Sequence, residues 1–122
     1  MSAVGGSGPG GGYNISDQET KTSITFNGRP IYVKYVFLGV EPTRNGFTET
    51  PHGIESMDME GFLKTEMWAT YNGYFYQPSY TSANGYTLYS HLIDINNIRL
   101  ETKDVATDRN FHAVIYYQKT SD

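Results

Sequence analysis

The chain has 122 residues, 38% of them hydrophobic and only 18% charged, which is room for one domain and not two. Its net charge of −4 argues against a nucleic-acid partner, because gripping phosphate needs a basic surface. Cysteine is absent, which removes disulfides and thiolate chemistry, and no apolar run approaches the ~18 residues of a membrane span. The start of the chain lacks the basic-then-apolar order of a secretory signal. A single soluble, aromatic-rich domain without membrane insertion is therefore expected, with Tyr 11, Phe 6 and Trp 1 to fill a small core.

Residues 1–12, MSAVGGSGPGGG, hold six of the 13 glycines and almost nothing to bury, so they read as a flexible tether. A natural joint to an upstream module and an expression remnant fit this stretch equally well. From Tyr13 onward a β-domain over 13–122 is expected. Ser23-Ile24-Thr25-Phe26 alternates and stops at Asn27-Gly28, a dipeptide suited to a tight hairpin turn because both residues tolerate positive φ. Ile31 to Leu38 then runs through β-branched and aromatic residues with Lys34 as its one charge, which predicts a central strand covered on both faces. On that strand Ile31, Val33, Tyr35 and Phe37 share one side.

Gly39 to Gly46 reads as a loop from its Gly, Pro and Asn content. Two strands are expected at about 54–59 and 62–71, because Gly53 and Gly61 interrupt the alternative helix. Asn72-Gly73 closes a hairpin onto Tyr74 to Gln77. A further Asn-Gly, at 84–85, precedes a strand over Tyr86 to Ile95. Ile98 to Thr102 alternates cleanly, Lys103 to Asn110 is a polar turn, and Phe111 to Gln118 is the last strand. Short strands at this spacing predict an all-β fold, a small antiparallel β-sandwich of about 7–9 strands.

Enzyme signatures are missing: there is no phosphate loop, no nucleophile elbow and no His-Glu-x-x-His. No catalytic residue and no cofactor is expected. His52, His91 and His112 are spaced without a local metal pattern, so no metal site is expected either. Glu55, Asp58, Glu60 and Glu66 lie close in the chain. A domain this small, however, offers little room for the cleft that raises one carboxyl of a glycosidase pair.

The segment from Trp68 to Tyr89 is the most suggestive. Aromatic rings stack on the C–H faces of sugars, and amides and hydroxyls take up sugar hydroxyl groups; Tyr, Ser, Gly and Asn also make adaptable binding loops. Trp68, Tyr71, Asn72, Tyr74, Tyr76, Tyr80, Asn84 and Tyr86 are the candidate ligand-binding residues. Strand alternation makes Tyr74 and Tyr76 behave alike and assigns Phe75 to the core. The same rings can instead fill the core or a subunit interface, as alternating Tyr on hairpins does elsewhere.

Several segments together resemble one family. Asn27-Gly28-Arg29-Pro30-Ile31-Tyr32 resembles the (D/N)GKPIYRK strand of small C-terminal domains in bacteriophage tail-fibre, tail-tip and baseplate proteins. Tyr13 to Glu19 fits the place of the family's Tyr-Ser-x-Glu stretch, and Pro51-His52-Gly53-Ile54 resembles its NHGI. Ile98 to Thr102 with Val114 to Thr120 resembles the closing I-x-I-x-T … V-x-L-x-Y-T-K. The order is co-linear from Tyr13 to Thr120. Val33 stands where the family commonly carries Arg, Arg29 replaces Lys, and Gln118 interrupts the final Tyr-Thr-Lys.

The resemblance implies no catalytic residues. It implies a virion component at the distal tail, made in the host cytoplasm, trimeric in the fibre and in contact with other tail proteins. Its variable central hairpins would face a host-surface glycan or an outer-membrane or cell-wall receptor. The leading expectation is host attachment through glycan; the alternative is a structural capping or trimerisation module of a tail fibre or baseplate without receptor contact.

Overall fold

A computed structural model describes residues 13–40, 46–76, 89–102 and 109–121. The tether and residues 103–108 of the expected turn lie outside these residues, as do Tyr80, Asn84 and Tyr86. The chain forms β1 (Thr20–Phe26), β2 (Arg29–Val40), β3 (Phe47–Pro51), β4 (Leu63–Tyr71), β5 (Tyr74–Tyr76), β6 (Tyr89–Ile93), β7 (Asn97–Thr102) and β8 (Asn110–Tyr117). Among the described residues there is no helix, and the strands form two sheets ordered β1-β2-β8-β4-β5 and β3-β7-β6. The protein is a small antiparallel all-β fold of the sandwich-like kind.

Both expected hairpin turns form. Asn27 and Gly28 take φ of 52° and 77°, and Asn72 and Gly73 take 50° and 83°, the paired left-handed conformations that a two-residue hairpin needs. One expectation does not hold, and one strand forms where none was expected. No strand runs over 54–59: Ser56 turns back at φ 59°, and only Met57 pairs, as an isolated bridge to Lys119. A strand does form at Phe47–Pro51, in the unassigned stretch after the loop. Its sequence, FTETP, has no inward apolar residue to announce it, and pairing with β7 makes it a strand.

The chain divides into two compact units built from separated stretches. The first comprises Met1–Val36, Ile54–Glu66 and Val114–Asp122; the second comprises Phe37–Gly53 and Met67–Ala113. In the first unit, Ile31 and Val33 are buried on one face of β2 and Val36 on the other, so this part of the strand is covered on both sides as expected. Val33, where the resembled motif carries Arg, is 0% exposed and would not accept an unpaired cation.

The end of the first unit is organised by a buried amide. The Gln118 side chain is 2% exposed. Its Nε2 donates to the carbonyls of Phe26 and Arg29 at 2.8 and 3.0 Å, and its Oε1 accepts from Phe62 N at 3.0 Å. Gly61 leaves room for that amide, because a Cβ there would stand 2.8 Å from Gln118 Oε1. Beside it, Tyr117 stacks on Tyr32 and donates to Glu19 at 2.5 Å, and Lys119 holds the other oxygen of Glu19 at 2.8 Å. Arg29 pairs with Asp58 at 3.0 Å and also donates to the Lys119 carbonyl.

In the second unit, Leu38, Met67, Ala69, Phe111 and Ala113 are buried on the five-stranded sheet, and Ile98 and Leu100 on the smaller one. On the small sheet β7 sits between β3 and β6, with Glu49 and Leu92 opposite Arg99 and with Thr48 and His91 opposite Leu100. Alternation therefore turns Phe47, Glu49, Leu92, Arg99 and Glu101 outward. His52 is buried, its Nε2 2.9 Å from the Asp94 carbonyl, while its own N–H donates to the Asn96 carbonyl at 3.1 Å.

Candidate functional site

Three adjacent strands of the large sheet, β2, β8 and β4, carry an outward row of rings within the second unit. The row follows from alternation. Leu38 is buried on β2, Phe111 and Ala113 on β8, and Met67 and Ala69 on β4, so Phe37, His112, Trp68 and Thr70 take the opposite face. Phe37 and His112 have ring centroids 5.4 Å apart at 48°, and His112 and Trp68 lie 5.2 Å apart at 15°, an offset stack. These steps are close to the ~4.8 Å separation of neighbouring strands. The row therefore runs across the strands as a ridge.

Thr70 fixes the middle ring, with its Oγ1 3.1 Å from His112 Nε2. Partial burial lowers the His112 pKa from its ordinary 6.5, which favours the neutral imidazole at pH 7, and its ring is flanked by Trp68 and Phe37. Phe37, at 51% exposure, presents most to solvent, while His112 and Trp68 are half-buried. Phe47, also exposed, gives one face to the Arg99 guanidinium, 3.6 Å from its centroid, and Arg99 Nε in turn reaches Glu101 at 2.7 Å. The rings are stacked on one another, so the row presents ring edges and the exposed Phe37, with the Thr70 hydroxyl and His112 imidazole as neutral polar groups.

Of the residues expected to bind ligand, Trp68 stands in this ridge. Asn72 is exposed at the β4–β5 turn. Tyr71, Tyr74 and Tyr76 belong to the same hairpin by backbone. In its register Tyr71 pairs with Tyr74, Thr70 with Phe75, and Ala69 with Tyr76. The position aligned with the ridge is thus Phe75, while Tyr76 aligns with buried Ala69. Two ridge residues escaped the sequence reading. His112 carried a usable signal, since Phe111, Ala113, Ile115 and Tyr117 form an apolar set that leaves 112 on the other face. Phe37 carried none, because both sides of β2 are apolar.

Two carboxylates are held firmly in their charged form. Asp58 is held below the usual carboxylate range by the Glu60 backbone N–H and by Arg29, and Asp94 by the N–H groups of Asn96 and Asn97. Both cap turns as anions, the opposite of what a proton donor requires. Among the described residues no group of three His, Asp or Glu side chains stands together to hold a metal ion. No protein-family model, no curated protein and no solved structure matches the chain.

Proposed function

We propose that this chain is a host-attachment domain of a bacteriophage tail fibre or tail tip, and that it binds glycan on the cell surface. The Phe37–His112–Trp68 row supports the binding half of this reading: Phe37, half in solvent, ends a row of stacked rings with neutral hydrogen-bonding groups beside it. The tail assignment rests on the co-linear motif resemblance from Asn27-Gly28-Arg29-Pro30 to the closing strand. A single ring contact with sugar is weak, in the range of ~1 mM or about 4 kcal/mol. Useful attachment then comes from several copies acting together, as in a trimeric fibre.

A second reading, a fibre cap without receptor contact, draws on Leu92, which is apolar and 62% exposed and which an identical subunit would cover. The test is binding of the labelled domain to host cells with purified surface polysaccharide as competitor. Attachment requires that the polysaccharide displace the domain and that Phe37→Ala abolish binding in a folded protein. Undisturbed binding by that variant removes the ridge from the mechanism, and absence of any cell binding leaves the cap as the better reading.

A further inference from the structure

We propose that Asn72 is a site of spontaneous covalent modification, converting to aspartate and isoaspartate in the folded chain, while Asn27, in a turn of the same type, is protected. Both asparagines are exposed, precede an exposed glycine and hold left-handed φ, 50° at Asn72 and 52° at Asn27. Glycine has no side chain to screen its backbone nitrogen, and a Cβ placed on Gly28 or Gly73 would meet nothing within 4 Å. That open nitrogen is the nucleophile. Gly73 N attacks Asn72 Cγ and the N–Cγ bond forms. The Cγ–Nδ2 bond breaks, and Nδ2 leaves as ammonia with the proton from Gly73 N. Water then opens the succinimide ring at either carbonyl. One opening leaves aspartate; the other leaves the backbone running through the former side chain, as isoaspartate.

The two turns differ in what holds them shut. Ring closure fixes ψ of the asparagine far from the left-handed value of about +47°, so the turn must open first. The β4–β5 turn closes on β5, which is three residues long, ends the sheet and pairs with β4 alone. The β1–β2 turn is pinned from behind. Gln118 Nε2 donates to the carbonyls of Phe26 and Arg29, the residues on either side of Asn27-Gly28. Arg29 is also tied to Asp58 and to the Lys119 carbonyl. A short terminal pairing opens locally at little cost, whereas buried side-chain bonds must break along with the second turn. Isoaspartate at 72 adds a backbone atom to a two-residue turn and so upsets the Tyr71–Tyr74 register, and either product adds a negative charge.

The test incubates the full chain in mildly alkaline buffer, native and in urea, and follows each asparagine by peptide mapping with fragmentation. An isoaspartate methyltransferase assay reads the isoaspartate share. We expect Asn72 to convert at least about tenfold faster than Asn27 in the native chain, the factor that two buried hydrogen bonds supply. In urea the two rates should come together; a gap that persists there belongs to the local sequence and overturns protection by the fold. Gln118→Leu should raise the Asn27 rate to that of Asn72 and leave Asn72 unchanged. Should that variant unfold, native-state amide exchange of the parent decides, with Tyr74 N–H exchanging faster than Arg29 N–H; the reverse order overturns the proposal. Equal native rates, or faster conversion of Asn27, overturn the protection. An Asn72 that stays intact in the native chain while urea converts it overturns the modification site.

Discussion

At the residue scale, Gln118 shows how one polar side chain can hold several backbone segments. Its amide serves the carbonyls of Phe26 and Arg29 and the N–H of Phe62. Replacing it by Leu leaves them without that partner. Gln118→Leu should cost about 3 kcal/mol or more in a urea titration, at 1–3 kcal/mol for each buried group left unmade. Gly61→Ala pushes a methyl to 2.8 Å from Gln118 Oε1 and should cost about 1–3 kcal/mol. Because both act on one contact, the double variant should lose less than the sum of the two. Additive losses would show that Gly61 and Gln118 act separately.

Tyr116 sets a second expectation at this scale. Burial, then hydrogen bonding with Tyr13 and the nearby Glu66 carboxylate, raises its pKa from 10.0 to about 12. The folded state thus keeps a proton that the unfolded state releases. Tyr116 contributes stability that is fully present below pH 10 and is lost as pH rises toward 12. Denaturation midpoints across that window should fall less steeply in Tyr116→Phe than in the parent. Asp58 works in the other direction. Its lowered pKa contributes stability above the ordinary carboxyl range that fades as pH falls through the folded-state value, so Asp58→Asn should flatten the acid limb.

At the element scale, β2 carries the sharpest contrast. Ile31, Val33, Tyr35 and Phe37 share one side of the strand, yet Val33 is 0% exposed and Phe37 51%. Burial changes sides along the strand, from Ile31 and Val33 to Val36 and Leu38, and the boundary between the two units falls at Val36. Val33→Asp should therefore cost several kcal/mol by burying an unpaired carboxylate. Phe37→Ser, on the same side four residues on, should shift the melting temperature little while removing ligand binding. Thermal melts of the two variants settle the matter, and an unshifted Val33→Asp would falsify the burial at that position.

The β4–β5 hairpin makes a related point. Its Asn72-Gly73 turn sets the register that aligns Phe75 with Thr70 and Tyr76 with Ala69.

At the scale of the whole molecule, exposed apolar side chains bear on assembly. Leu92 and Phe47 face outward from the small sheet, and Ile24 and Phe26 are exposed on β1, an edge strand of the large sheet. Lys21 and the irregular register between Lys21 and Thr25 discourage continuous edge pairing along β1. Association about a three-fold axis is the closed symmetry that fibre modules use. On the tail-fibre proposal, a chain fused to a fibre stalk should sediment as a trimer, and a monomer there removes the trimer from the proposal. Binding to cells should persist at high salt, because stacking escapes the screening that weakens exposed charge contacts beyond ~10 Å at ordinary ionic strength.

Local chemistry alone was enough for the strand class and the two Asn-Gly hairpins. Alternation and positive-φ tolerance are properties of a few neighbouring residues, and they do not depend on what packs above. Trp68 was legible for the same reason, as a large ring on an alternating strand beside a turn. Tertiary structure decided the rest. FTETP became β3 only through pairing with β7, and 54–59 lost its strand to the turn at Ser56. Gln118, polar at the end of an apolar run, is buried because backbone groups of three separate segments converge on it. The ridge itself depends on the strand order β2-β8-β4, which brings residues 37, 112 and 68 into one row. No pattern within a strand encodes its neighbours, and at β2, apolar on both sides, only packing determines which ring is left facing water.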